Sequence, residues 1–392
     1  MLNINTSGTA AMLLSNPFRP DPRVLKEAEG LSTSGYSMNI ICWDRAREYD
    51  ANENLPNGVK IIRVQNIHSS YGIGMRQLFR LPLFWLAAYT LLNKLKPDIV
   101  HCHDFDTLPI GLLWGKLHRR PVIYDAHEYY VELIKPRLSG LFGKLLNIFI
   151  TNSEHLGTKL ANAIITVDDT LAKQYQRYNK RVIIIGHYPP KSYAAQHNPI
   201  FSRPELTLIY SGRISTDRGS LIYIDILRQL LTLDVPAKLK LMGVFVPEKE
   251  SSAFWENARD VQAHIDFLGW VPFQHIQDSY HISDIGLVLL KPEPRYIAAL
   301  PVKLFEYMAA GLPVIASDFP HIRQIVESTN SGVLVNPNFD AQSIAELIAS
   351  WWDAPSIPIS LGENGRQAIL TKYNWEVQTE WLTSLYTELI NR

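Results

Sequence analysis

Cysteine is nearly missing: Cys42 and Cys102 are the two among 392 residues. A disulfide scaffold is excluded, and a reducing compartment is expected. Both fall near expected strand ends, where small buried thiols are common. Net charge is missing too, because 38 basic side chains meet 38 acidic ones. Without a basic excess the chain has no global field for a polyanion, which argues against nucleic acid. The longest apolar run, residues 81–92 (LPLFWLAAYTLL), falls short of the ~20 residues a membrane span needs. Residues 11–14 (AMLL) lack the charged flank and cleavage pattern of a signal peptide. A cytoplasmic location follows as the expectation. No strict G-x-G-x-x-G follows an expected strand, so a conventional nicotinamide site has no fingerprint. Fixed-period repeats and low-complexity tracts are absent.

What is present is apolar and alternating. Hydrophobic residues make up 46% of the chain and charged residues 19%, enough to build cores, and the length suits two domains. In the first half, strand patterns at 11–15, 37–43, 60–64, 99–103, 122–124, 163–167 and 181–185 alternate with helical patterns such as 23–34 and 78–94. Residues 186–204 hold four prolines and little periodicity, and read as a linker. A second alternation follows. Its strands are expected at 207–211, 238–242, 265–268, 285–289, 313–317 and 332–335, and its helices at 220–231, 273–281, 302–310, 322–328 and 341–351. Such alternation predicts two doubly wound α/β domains, with ligands beyond the carboxyl ends of the strands and the space between the domains as the default site.

Two segments carry chemistry. Residues 300–318 (LPVKLFEYMAAGLPVIASD) read as a helix entered through Pro301, closed by Gly311 and followed by a buried strand. The unpaired amides and positive dipole end of such a helix collect phosphate. Glu306, one turn further in, can accept hydrogen bonds from sugar hydroxyls. Phosphate beside ribose means nucleotide. Residues 211–220 (SGRISTDRGS) form a strand-to-helix loop in which Gly212 and Gly219 bracket Arg213 and Arg218. Two cations on one loop suit a diphosphate; taken alone, they could equally be surface arginines.

Together these segments resemble the retaining GT-B glycosyltransferases of family 4 (glycosyl transferases group 1). Residues 300–318 are the most specific match, and 211–220 resembles that family's G-R-x(4)-[KR]-G phosphate loop. Similar echoes occur in PDIVHCHD (97–104), PVIYDAHE (121–128), HIDFLGWVP (264–272) and YNWEVQTEWLTSLYTEL (373–389), so the likeness spans nearly the whole chain. The resemblance implies that Arg213 and Arg218, with Gly212 between strand and loop, contact the donor diphosphate. It implies ribose binding by Glu306, phosphate contacts from the amides of Val302, Lys303 and Leu304, and a base-flanking loop around Gly269 and Val271. His127 would lie near the transferred sugar as the catalytic histidine. One departure stands out: family members often carry two glutamates with seven residues between them, and with Glu306 as the second the first falls on Ala298, which puts the donor sugar's identity in doubt.

Other residues keep two readings. Without the resemblance, His127 is a hydrogen-bonded strand-end residue. Asp125 and Glu128 flank it, and one could orient the ring or act as base, although strand alternation is expected to point them away from it. Asp104 and Asp106 form a D-x-D string. Since arginines already serve the diphosphate, these acids are expected to cap the helix starting near Thr107 and not to bind metal. Asp21 and Arg23 either begin a helix or face the acceptor.

The expected organisation is an acceptor-side Rossmann-like domain at 1–190, a donor-binding Rossmann-like domain at 205–374, and a last helix at 375–392 that crosses back to the first. The expected reaction moves a sugar from a nucleotide-diphosphate donor, UDP-linked by preference, to an acceptor hydroxyl of a glycan or lipid-linked molecule. No metal and no other cofactor is expected. Rivals are a nucleotide-sugar epimerase on the same plan, which would need further carboxylates, a non-catalytic paralogue suggested by Ala298, and a nicotinamide oxidoreductase. Core packing is the preferred reading of 76–92. Basic residues beside its apolar run, and again in 135–150 (KPRLSGLFGKLLNIFI), also raise a peripheral membrane contact.

Overall fold

The computed structural model describes residues 8–19, 21–69, 80–127, 130, 140–194 and 201–392. Glu128, residues 76–79 and residues 135–139 of the two apolar-basic stretches, and part of the expected linker lie outside them. The chain divides into two compact units: unit 1 is Met1–His187 with Glu376–Arg392, and unit 2 is Tyr188–Trp375.

Unit 1 is built on β1 (Thr9–Leu14), β2 (Ser37–Trp43), β3 (Asn52–Asn54), β4 (Lys60–Val64), β5 (Ile99–His103), β6 (Val122–Ala126), β7 (Ala163–Thr166) and β8 (Val182–Ile184). The strand order is β3-β4-β2-β1-β5-β6-β7-β8. β3 runs antiparallel on the edge and the other pairings are parallel. Inner parallel strands are covered on both faces, which is why β1 (TAAMLL) is apolar at successive positions instead of alternating. Helices Leu81–Leu95, Leu108–His118 and Gly140–Leu160 supply the core on one face, around Trp43, Val100, Tyr124 and Ile164. The C-terminal helix Trp375–Ile390 packs within unit 1 instead, where Tyr386 meets Tyr36 edge-to-face.

Unit 2 holds β9 (Leu206–Ser211), β10 (Ala237–Met242), β11 (Ile265–Gly269), β12 (Ile285–Val288), β13 (Val314–Ser317) and β14 (Gly332–Val335), in the order β11-β10-β9-β12-β13-β14. All its pairings are parallel. Two cores lie on opposite faces: Leu208 and Leu239 enter one, and Ile209 and Met242 the other, as the two-residue strand period requires. Burying each such side chain contributes about 1.5–3 kcal/mol. In both sheets the strand order reverses beside the first strand, between β1 and β5 and between β9 and β12. Loops leaving those strand ends are the ones a doubly wound sheet offers to ligands.

Candidate functional site

In unit 2 the strand ends bring the donor-site candidates together. Gly212 N–H donates to Met242 O at 2.8 Å, and Gly243 N–H donates to Gly269 O at 2.7 Å, so the ends of β9, β10 and β11 lie side by side. The approach is so close that a Cβ on Gly243 would meet Gly212 O at 1.7 Å. Arg213 stands exposed on the loop. Arg218 is held: its Nε donates to Tyr296 Oη at 3.1 Å and its guanidinium lies over the same ring. Tyr296 Oη in turn donates to Asp217 at 2.8 Å, and Asp217 also takes bonds from Ser215 and Arg295. This network ties Arg218, Tyr296 and Asp217 together across the loop.

The helix Val302–Ala309 begins beside the same loop. Pro301 occupies its cap position, directly before the helix start expected at residue 302. Leu304 N–H is already bonded to Pro301 O at 3.1 Å, whereas the amides of Val302 and Lys303 make no hydrogen bond among the described residues. Lys303 aims at Gly212: a Cβ there would lie 3.2 Å from Nζ. That ammonium lies 3.6 Å from the Tyr210 ring centroid and has no hydrogen-bond acceptor among the described residues. Burial, then the Arg218 charge, pulls its pKa well below the ordinary lysine value. Glu306, one turn on, accepts from Tyr280 Oη at 2.9 Å, and Tyr280 Oη lies 2.8 Å from Ser211 Oγ. The carboxylate is thereby tied to the end of β9. Val271 packs against an apolar core, while Trp270 beside it is exposed. Ala298 ends the short helix Pro294–Ile297 and is exposed.

In unit 1 the carboxyl ends of β5 and β6 carry a buried polar cluster. Asp125 Oδ2 lies 3.4 Å from His101 Nε2, 3.3 Å from His103 Nδ1 and 3.7 Å from His127 Nε2. The expectation that Asp125 points away from His127 is therefore wrong. Residues two apart share a strand face, so alternation puts the two together. His127 is 7% exposed, and its Nδ1 finds no partner among the described residues. Burial lowers the pKa of His127 to about 4, against the raising effect of Asp125, so the ring is neutral near pH 7. His101 is likewise lowered to about 4 by burial, and Tyr386 Oη sits 2.7 Å from its Nδ1. Burial raises Asp125, but the surrounding histidines outweigh it and hold it well below the usual carboxylate range. Glu27, His101, His103 and Asp125 present ligand atoms within 4.8 Å of one another and are the described residues able to hold a metal ion.

The remaining candidates surround this cluster. Asp21 caps the helix Pro22–Thr33 through Val24 N–H, with Arg23 following. Asp104 has left-handed backbone, φ 63°, and burial followed by Asp106 raises its pKa to about 8. The D-x-D acids do not cap as expected: the cap residue is Thr107, whose hydroxyl donates to the carbonyls of His103 and Asp104. Sequence reasoning missed Tyr280, Tyr296 and the His101–His103–Asp125 group. The H-x-H spacing of residues 101 and 103, on the same face as Asp125 in the paired strand, was the signal that could have found the last.

Two doubly wound units, one with a cationic loop set against a helix N-terminus, define the GT-B class of fold. Sucrose-phosphate synthase from Thermosynechococcus elongatus shares it, with TM-score 0.76 and 18% identity over 98% of this chain and 99% of that one. So does HepE of Anabaena, solved with UDP, with TM-score 0.69 and 14% identity over 97% and 100%. Residues 194–368 match the model of glycosyl transferases group 1, and residues 23–187 match glycosyltransferase family 4. An uncharacterized glycosyltransferase of Methanocaldococcus jannaschii is 24% identical over 89% of both chains. Alpha-monoglucosyldiacylglycerol synthase of Acholeplasma laidlawii is 22% identical over 94% of this chain and 93% of its own. The chain belongs to the group 1 glycosyltransferases.

Proposed function

We propose that this glycosyltransferase takes its sugar from a nucleoside-diphosphate donor held by unit 2, UDP-linked by preference, and passes it with retention to an acceptor hydroxyl in glycan or glycolipid assembly. The observation that carries the reading is Lys303: a closed-off ammonium without an acceptor, between the Arg213–Arg218 loop and two unbonded helix amides. A diphosphate would satisfy all of these groups. HepE with UDP supports the uridine preference, and the Acholeplasma synthase supports a lipid acceptor.

As the glycosidic bond to phosphate breaks, negative charge grows on the leaving diphosphate. Arg213, Arg218, Lys303 and the amides of Val302 and Lys303 would receive it, and preorganised donors of this kind are each worth about 10²–10³ in rate. Glu306, positioned by Tyr280, would take the ribose hydroxyls, and the loop holding Gly269 and Val271 would flank the base. In unit 1 His127 is assigned to a hydroxyl of the sugar in transit. Being neutral, it can accept as well as donate. Asp21, Arg23 and Asp104 are assigned to the acceptor side. Because cations and amides serve the diphosphate, the transfer is proposed to need no metal and no further cofactor. Cytoplasmic residence with peripheral membrane contact belongs to the same reading.

The test is turnover of UDP-sugars in the presence of an extracted lipid fraction and soluble glycans, with the anomeric centre of the product read by NMR. Retained configuration and loss of product in Arg218→Ala support the reading. Inverted configuration contradicts retention, and nucleotide binding without turnover favours a non-catalytic paralogue, the alternative that Ala298 keeps open.

A further inference from the structure

The outer side of the unit 1 helix layer is unusual for a water-facing surface. On Gly140–Leu160, Leu145, Ile148, Phe149, Leu156 and Leu160 are exposed, Phe149 by 66%. Leu83 and Leu86 are exposed on Leu81–Leu95, and Leu113 and Leu117 on Leu108–His118. The layer is continuous, because a cavity of about 500 Å³ is lined by residues of all three helices, among them Trp85, Leu112 and Phe149. Helices this apolar all round are normally covered. Their charge has one sign: Lys94, Lys116, Lys144 and Lys159 are exposed. The three helices hold a single acid, Glu154, which is buried and accepts from the hydroxyls of Tyr124 and Tyr175.

We propose that this face docks unit 1 on an anionic lipid bilayer. Lys116, Lys144 and Lys159 stand about one helical turn from the exposed Leu113, Ile148 and Leu156, so headgroup phosphates meet cations while the leucines enter the acyl boundary. A second copy of the chain is disfavoured as occupant, since a face bearing cations alone repels itself. This docking deepens the lipid-acceptor reading, and is independent of donor binding by unit 2.

The experiment is co-sedimentation of the full chain with vesicles of phosphatidylcholine alone and of phosphatidylcholine with phosphatidylglycerol, at low and high salt. Wild type is compared with Lys144→Glu/Lys159→Glu and with Ile148→Ser/Phe149→Ser. Binding to the anionic vesicles at low salt is expected, weakened about tenfold or more by salt and by either double substitution. Absence of binding at low salt overturns the proposal, as does equal binding to neutral vesicles. A dimer in sedimentation velocity that both variants dissolve would assign the face to a second copy and likewise overturn it. If a variant fails to fold, the wild-type comparison across lipid and salt still decides. UDP-induced thermal stabilisation, measured on the same samples, reports donor binding separately.

Discussion

At the residue scale, Lys303 opposes stability and is proposed to serve binding. The Tyr210 ring offsets part of its desolvation, about 2 kcal/mol at best, while burying an ammonium costs several kcal/mol. Lys303→Met should therefore raise the melting temperature of the unliganded protein and weaken UDP binding about tenfold or more, as calorimetry and thermal scans would read. A purely structural lysine would not separate the two effects. Asp104 gives a pH test. Its carboxyl keeps its proton to about pH 8 in the folded state, against 3.8 when unfolded. Between those values the folded state binds more protons, so this group costs stability progressively as pH rises. Asp104→Asn removes that cost and suits a left-handed position, so its gain in melting temperature over wild type should be larger at pH 8 than at pH 5. An equal gain at both would contradict the shift.

At the element scale, the loop 211–220 depends on backbone that admits no side chain. Gly219 has φ 84°, and a Cβ there would lie 2.4 Å from Leu289 O. Gly219→Ala should displace Arg218 from Tyr296, lower the melting temperature by several degrees and abolish UDP-dependent stabilisation. Unchanged UDP stabilisation would remove this loop from the donor site. The same scale shows what the sequence made legible. β2, β4, β5 and β14 fall where their β-branched apolar runs place them, and the Gly-Arg loop and the helix after Pro301 could be read from turn and cap residues. β3 is three polar residues, NEN, on an antiparallel edge, and carries no such pattern. The helix Ser356–Thr371 was missed because Pro358, Gly362 and Gly365 mask it. Gly362 is there for packing, as a Cβ would meet Gly311 O at 2.0 Å. Leu108–His118 is apolar on most sides and shows no helical stripe.

At the scale of the whole molecule, the zero net charge hides an uneven distribution. Unit 2 gathers Arg213, Arg218 and Lys303 around one strand end, and unit 1 carries exposed charge of one sign on its three-helix layer. Such local fields were invisible in the composition, because acids elsewhere cancel the sum. The likeness to GT-B structures extends over nearly the full chain. The proposed nucleotide site, by contrast, rests on few groups, which single substitutions can isolate. The most direct measurement is a thermal-shift panel with UDP, GDP, CDP, ADP and NAD on wild type and Glu306→Ala. Ligand that binds the native state raises the melting temperature by mass action, about 2.7 kcal/mol at a hundredfold excess over Kd. The account predicts a rise with one nucleoside diphosphate, UDP foremost, that is lost in Glu306→Ala. No rise with any nucleotide, or a rise with NAD alone, would contradict it.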